Sequence, residues 1–255
     1  MNLTRDRNGR RDLKVEVLVD AESVARRAAA LIAADARSAA ALRGRFVLAV
    51  SGGHTPWIML RALANETVPW EAVHIVQVDE RVAPAGHSDR NLTHLQASLL
   101  DVVPLRPEQI HPMLVESPDL ESAAKQYAQT LNEIAGSPAV LDLVHLGLGP
   151  DGHTASLVPG DPVLKITSAD VSLTGIYQGR RRMTLTYPLI NRARHILWVV
   201  TGTEKAEMLT RLGNADASIP AGRVCSQDAL VLADSSAAGV QDATNDKSSA
   251  ATQAT

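Results

Sequence analysis

Apolar and polar positions fall into short blocks along this chain, and each block reads as one element. "LKVEVLVD" (Leu13–Asp20) alternates residue by residue, as a half-buried strand does. "AESVARRAAALIAADARSAAALRG" (Ala21–Gly44) is Ala-rich, keeps a helical period and stops at a glycine. "RFVLAV" (Arg45–Val50), "VHIVQV" (Val73–Val78) and "LDLVHL" (Leu141–Leu146) are largely apolar runs of strand length, the pattern of a parallel sheet covered on both faces. Helical spacing predicts helices over Pro56–Asn65, Leu92–Val102 and Leu120–Ile134. Farther on, strands are predicted at Asp170–Gly179, Arg182–Thr186, His195–Gly202 and Ala229–Asp234, with a helix at Thr203–Gly213. Strands and helices that alternate over the whole chain imply an α/β sandwich with a mainly parallel sheet. The expected organisation is one domain over 13–234, a charged extension over 1–12 and a disordered polar tail over 235–255.

The totals narrow the function classes. A chain of 255 residues, 45% hydrophobic and 21% charged, builds a core of ordinary size. A net charge of −3 and an aromatic content of 3% supply neither the field nor the stacking platform that nucleic acid requires. An anionic small molecule held by a local basic site remains compatible with that balance. Cys225 is the single cysteine, so no internal disulfide forms, and a reducing, cytoplasmic setting is expected. No apolar run reaches the roughly 20 residues of a membrane span, and the N-terminus lacks the apolar core of a signal peptide.

Ligands of open parallel sheets bind outside the carboxyl ends of the strands. Four polar clusters stand at such ends. "SGGHTP" (Ser51–Pro56) joins a strand to a helix. Gly52 and Gly53 allow close backbone approach, and free N–H groups with the Ser51 and Thr55 hydroxyls suit a phosphate. A plain tight turn with Thr55 as N-cap is the alternative, and His54 reads as a solvent-facing loop residue rather than a catalyst. "DER" (Asp79–Arg81) offers a carboxylate to shape a pocket and a guanidinium to hold an anion, or else a surface salt-bridge cluster. "GLGPDGHTASLVPG" (Gly147–Gly160) contains G-x-G-x-x-G at Gly147, Gly149 and Gly152, but Pro159 and Pro162 follow too soon for the crossover helix of a dinucleotide site. Asp151 and His153, two residues apart in that loop, instead form a general-base arrangement, in which a carboxylate orients an imidazole. A capping Asp beside a hydrogen-bonded loop His is the plainer reading. The fourth cluster is distributed: Arg182 opens a strand, and Lys205 sits in the first turn of a helix. There a cation opposes the helix dipole and is better explained by an anion it serves, an ordinary exposed Lys being the alternative. No Walker loop, no G-x-S-x-G elbow and no His/Cys cluster with metal-ligand spacing is present.

Taken in order, "SGGHTP", "DERV", "DLVHLGLGPDGHTASLVPG", "RMTLTYPLIN" and "VTGTEKAEML" resemble the 6-phosphogluconolactonase family over about residues 15–234. The resemblance implies a Rossmann-like three-layer α/β/α sandwich. It also implies hydrolysis of 6-phospho-D-glucono-1,5-lactone to 6-phosphogluconate, the second step of the oxidative pentose phosphate pathway, with no cofactor; the sequence leaves the oligomeric state open, with a monomer favoured. On that basis the 6-phosphate is expected on the N–H groups of Ser51–Thr55, with Arg81, Arg182 and Lys205 adding charge. His153 is expected to be the base, Asp151 its orienter, Asp79 a wall of the pocket, and N–H groups around Gly149–Gly152 the oxyanion site. Glucosamine-6-phosphate deaminases are the nearest rival, since they share the phosphate loop and the D-G-H loop. They carry a Glu where this chain has Val158, which removes one acid their chemistry uses. A non-catalytic sugar-phosphate-binding protein of the same fold is the remaining alternative.

Overall fold

A computed structural model describes residues 13–225 and 228–240; the extension over 1–12 and the end of the tail lie outside the described residues. In chain order the strands are β1 (Lys14–Leu18), β2 (Phe46–Val50), β3 (Val73–Gln77), β4 (Asp79–Arg81), β5 (Ile110–His111), β6 (Leu143–Leu146), β7 (Val171–Leu173), β8 (Arg182–Leu185), β9 (His195–Val200) and β10 (Ala229–Asp234). The helices are α1 (Ala21–Arg43), α2 (His54–Leu63), α3 (Asn91–Leu95), α4 (Leu120–Ala135), α5 (Tyr187–Ile190) and α6 (Ala206–Gly213).

Seven strands form one parallel sheet in the order β1-β10-β9-β6-β2-β3-β5. Side chains of a strand alternate between faces, so β2, buried along its length, feeds two cores. Phe46, Leu48 and Val50 pack with Ile75 and Leu197 under α1, α2 and α3. Val47 and Ala49 pack with Val144, Ile196 and Trp198 under α4, α5 and α6. These two apolar layers make the three-layer sandwich. The long helix α1 begins where the Asp20 carboxylate accepts the Ser23 N–H at 2.7 Å and ends where Gly44 turns left-handed at φ 72°. Its buried stripe is mostly Ala, which lets it lie close to the sheet.

A second, antiparallel sheet, β4-β8-β7, lies on the α4 side and was not legible as a sheet in the sequence. "DER" is thus a strand rather than a loop. The run read as one strand from Asp170 to Gly179 pairs only over Val171–Leu173; beyond Thr174 the chain leaves the ladder and turns back at Gln178–Gly179. The helix expected over Leu92–Val102 starts at Asn91 and widens into a π turn over Gln96–Leu100. The first turn of the helix expected from Thr203 is 3-10, and α6 proper begins at Ala206. The tail is ordered farther than its composition suggested. Ala237 is buried, its N–H bonds the Asp234 carboxylate, and the Ser235 hydroxyl donates to the Leu18 carbonyl.

Candidate active site

β2, β6 and β9 are sheet neighbours, so the loops that leave their carboxyl ends converge. Together with β4 and β8 of the small sheet they enclose a cavity of about 350 Å³. Ser51, Gly52, Gly53, Thr55, Asp79, Arg81, Gly149, His153, Arg182 and Lys205 all line it. Asp151 stands behind His153, and Gly152 lies outside the lining. His54, although exposed, belongs to the rim.

At one end, α2 presents the N–H groups of its first turn with no side-chain cap, a ready site for an anion. Ser51 does not share in this, which corrects its expected role. Its N–H is spent on His145 Nδ1 (3.2 Å) and its hydroxyl on the His145 carbonyl (2.9 Å). His145 is fully buried, and burial pushes its imidazole down to about 3, so it is neutral and serves as the acceptor that fixes the loop. Thr55 shares a 2.7 Å hydrogen bond with Thr201, a cavity residue that the sequence did not single out.

The cations come together through the small sheet. Arg81 lies directly opposite Arg182 in the antiparallel register, and both side chains line the cavity. Like charges placed across a strand pair are destabilising unless something negative stands between or beside them. Asp79, on the same face of β4, offsets part of that charge from 4.0 Å. Burial raises the Asp79 carboxyl above its usual value despite both guanidinium groups. Burial likewise lowers the Arg182 guanidinium, with Arg81 adding to the effect. Asp79 Oδ2 accepts from the Ser156 hydroxyl at 2.5 Å, and Oδ1 accepts from Asn91 Nδ2 at 3.2 Å, so its oxygens are already held. Asn91 also accepts from Arg81 (2.9 Å) and aims that guanidinium. Lys205 adds its ammonium from the start of α6, loosely paired with Glu204 at 3.8 Å.

The imidazole sits at another part of the wall. Asp151 Oδ1 accepts the His153 backbone N–H (3.1 Å) and meets its Nδ1 at 2.5 Å. Nδ1 therefore carries the proton, and Nε2 is the nitrogen left for a ligand. Burial tends to raise the Asp151 carboxyl, but the neighbouring imidazole and the hydrogen bonds from His153 and Tyr177 outweigh it, and the group lies below its usual value. The glycines of this loop do something other than expected. Gly149 N–H bonds the His153 carbonyl (2.8 Å) and Gly152 N–H the Gly149 carbonyl (3.0 Å), so neither faces an oxyanion. Gly149 instead gives the ring room: a Cβ there would stand 2.0 Å from His153 Nδ1. Gly152 holds φ +82° against Ile219.

Tyr177, Asn91, Ser156 and Thr201 are site residues that sequence reasoning missed. Only Tyr177 had a local signal, in the "YQGR" run that closes a two-residue turn. Among the described residues no cluster of three or more His, Cys, Asp or Glu is placed to hold a metal, and no helix is long and apolar enough to cross a membrane.

The chain is similar to known proteins in sequence and in fold. Residues 19–232 match the family model described as glucosamine-6-phosphate isomerases/6-phosphogluconolactonase. A 6-phosphogluconolactonase of Synechocystis sp. is 37% identical over 200 residues, which is 77% of this chain and 83% of that protein. The crystal structure of a 6-phosphogluconolactonase from Thermotoga maritima superimposes with a TM-score of 0.78 at 24% identity, over 87% of this chain and 99% of that one. A monomeric glucosamine-6-phosphate deaminase superimposes equally well, with a TM-score of 0.79 at 19% identity over 90% of this chain and 100% of that one. The fold alone therefore does not separate the two chemistries.

Proposed function

The chain belongs to the glucosamine-6-phosphate isomerase/6-phosphogluconolactonase family, and from that premise we propose that it opens 6-phospho-D-glucono-1,5-lactone to 6-phosphogluconate with His153 as the base. The activity is that of a hydrolase of the pentose phosphate pathway. The observation that carries the site assignment is the presence, in one cavity, of a cross-strand arginine pair and an imidazole whose Nδ1 is held by a carboxylate. The first feature calls for a dianion and the second for a proton acceptor.

The 6-phosphate lies on the first-turn N–H groups of α2, with Arg81, Arg182 and Lys205 as charge-assisted partners. This holds C1 of the lactone toward His153. Nε2 takes a proton from water as the water oxygen adds to C1. The tetrahedral species then collapses, the bond from C1 to the ring oxygen breaks, and the imidazolium returns its proton to that oxygen. The new carboxylic acid ionises to solvent. Such acid–base help is typically worth about 10²–10⁴-fold. Asp151 keeps the ring in the required tautomer and supports its charge in the transition state. Asp79, with both oxygens occupied, shapes the pocket and balances the arginines. Deamination is disfavoured by Val158, which is buried and apolar where the deaminases carry a Glu. We place the protein in the cytoplasm, in keeping with its single free cysteine.

The experiment is a coupled assay. Supply the lactone with 6-phosphogluconate dehydrogenase and NADP, subtract spontaneous hydrolysis, and repeat with unphosphorylated gluconolactone in a direct acid-release assay. The reading expects strong preference for the phosphorylated lactone and a raised KM for it alone in Arg81→Ala and Lys205→Ala. Equal losses on both lactones would contradict the phosphate assignment.

A further inference from the structure

Tyr177 is not accounted for by the roles above, yet it touches both halves of the site. Its hydroxyl lies 3.0 Å from Asp151 Oδ2, the oxygen that His153 does not use. The same hydroxyl is 3.4 Å from His153 Nδ1, but that nitrogen bears the proton directed at Asp151 and accepts nothing. The phenol proton therefore goes to Asp151. Gln178 Nε2 reaches the phenol oxygen only at 3.5 Å. The Tyr177 ring stands edge-on to the imidazole, with centroids 5.5 Å apart, and carries the Arg182 guanidinium over the ring, 5.0 Å from its centroid.

The backbone holds this placement. Tyr177 and Arg180 exchange N–H···O=C bonds around Gln178 (φ 51°) and Gly179 (φ 77°), a tight reversal of the two-residue type. Arg180 ties the tip to Asp89 at 3.0 Å, and the Asp89 carbonyl accepts from Arg81. The turn is thus anchored on the phosphate side while its tyrosine reaches the dyad.

We propose that Tyr177 is a positioning residue for this reaction: its hydroxyl fixes the second oxygen of Asp151, and so sets the orientation of the His153 imidazole and the share of carboxylate charge the ring meets. The proposal rests on the reading of His153 as the base. Tyr177 contacts the dyad and Arg182 lies beyond its ring, while His54, Asp79, Arg81, Glu204 and Lys205 line the same cavity as His153. Burial, followed by the bond to Asp151, holds the phenol above its usual value, so it remains a donor across the working pH range.

Tyr177→Phe keeps the ring under Arg182 and removes only the hydroxyl. It is expected to lower kcat about fivefold, the value of one hydrogen bond, with KM unchanged. Without the phenol the Asp151 charge is less dispersed and favours the imidazolium more. The acid limb of kcat/KM then moves to higher pH. Tyr177→Leu also releases Arg182 and raises KM. In a His153→Ala background Tyr177→Phe changes nothing further. Wild-type kcat, an unmoved acid limb, or an additional loss in the His153→Ala background would each overturn the proposal. A wild-type-like His153→Ala removes the base reading itself. A wild-type-like Tyr177→Phe beside a crippled His153→Ala removes the tyrosine alone.

Discussion

Adding one methyl group at Gly149 is expected to disable the site without altering a polar atom. An alanine Cβ there would lie 2.0 Å from His153 Nδ1, 2.2 Å from Cε1 and 2.6 Å from Cγ. Non-bonded carbon contacts settle near 3.5 Å, so the ring must retreat by roughly 1 Å or more. The 2.5 Å bond from Nδ1 to Asp151 does not survive a shift of that size. Misplacing a catalytic group by about 1 Å typically costs about 10²-fold, and kcat of Gly149→Ala should fall by that order. The φ of Gly149 is one that any residue adopts, so the backbone itself tolerates the change. KM for the phosphorylated lactone should hold, because Arg81, Lys205 and the α2 terminus are untouched. Gly147→Ala is the matched control, since nothing lies within 4 Å of its added Cβ. The coupled assay, corrected for spontaneous hydrolysis, reads both variants. A Gly149→Ala enzyme within threefold of wild-type kcat would refute the view that the imidazole must sit where it does.

Three further outcomes follow from the same geometry. Inorganic phosphate should relieve the facing Arg81 and Arg182 and raise Tm above that in chloride of equal ionic strength, by about 2.7 kcal/mol of stability at a hundredfold excess over Kd; Arg182→Met should lose most of that gain. His145, pushed down to about 3 in the folded state, should make stability fall as pH drops from its ordinary value of 6.5 toward 3, because the unfolded chain binds the proton first. That share is about 2 kcal/mol between pH 6.5 and 5, and urea unfolding of His145→Gln should show a correspondingly shallower pH slope. Glucosamine 6-phosphate should yield no ammonia, because buried Val158 supplies no acid; measurable release would bring the deaminase reading back.

What the sequence disclosed was local. The pair Asp151–His153 is two residues apart on one loop, and the order of strands, helices and loops placed that loop at a carboxyl end. The arginine pair was half legible: both residues drew attention, but their register across β4 and β8 was not, because a three-residue strand is too short to show a period. Ser156 bonds Asp79 across 77 positions, and nothing near either residue announces it. The misread donors have the same cause. Ser51, Gly149 and Gly152 were assigned to the ligand by residue type, whereas the direction of an N–H depends on its acceptor, which for Ser51 lies 94 positions away in β6. The strand expected through Gly179 stops early because the chain leaves the ladder beyond Thr174, before it turns back at Gln178–Gly179.

The proposal that His153, oriented by Asp151, activates the water that opens the lactone is checked by kcat of His153→Ala beside wild type on 6-phospho-D-glucono-1,5-lactone, with KM measured for both. A loss of about 10²–10⁴-fold in kcat with KM little changed is expected. Turnover within a few-fold of wild type, above the spontaneous rate, would contradict it.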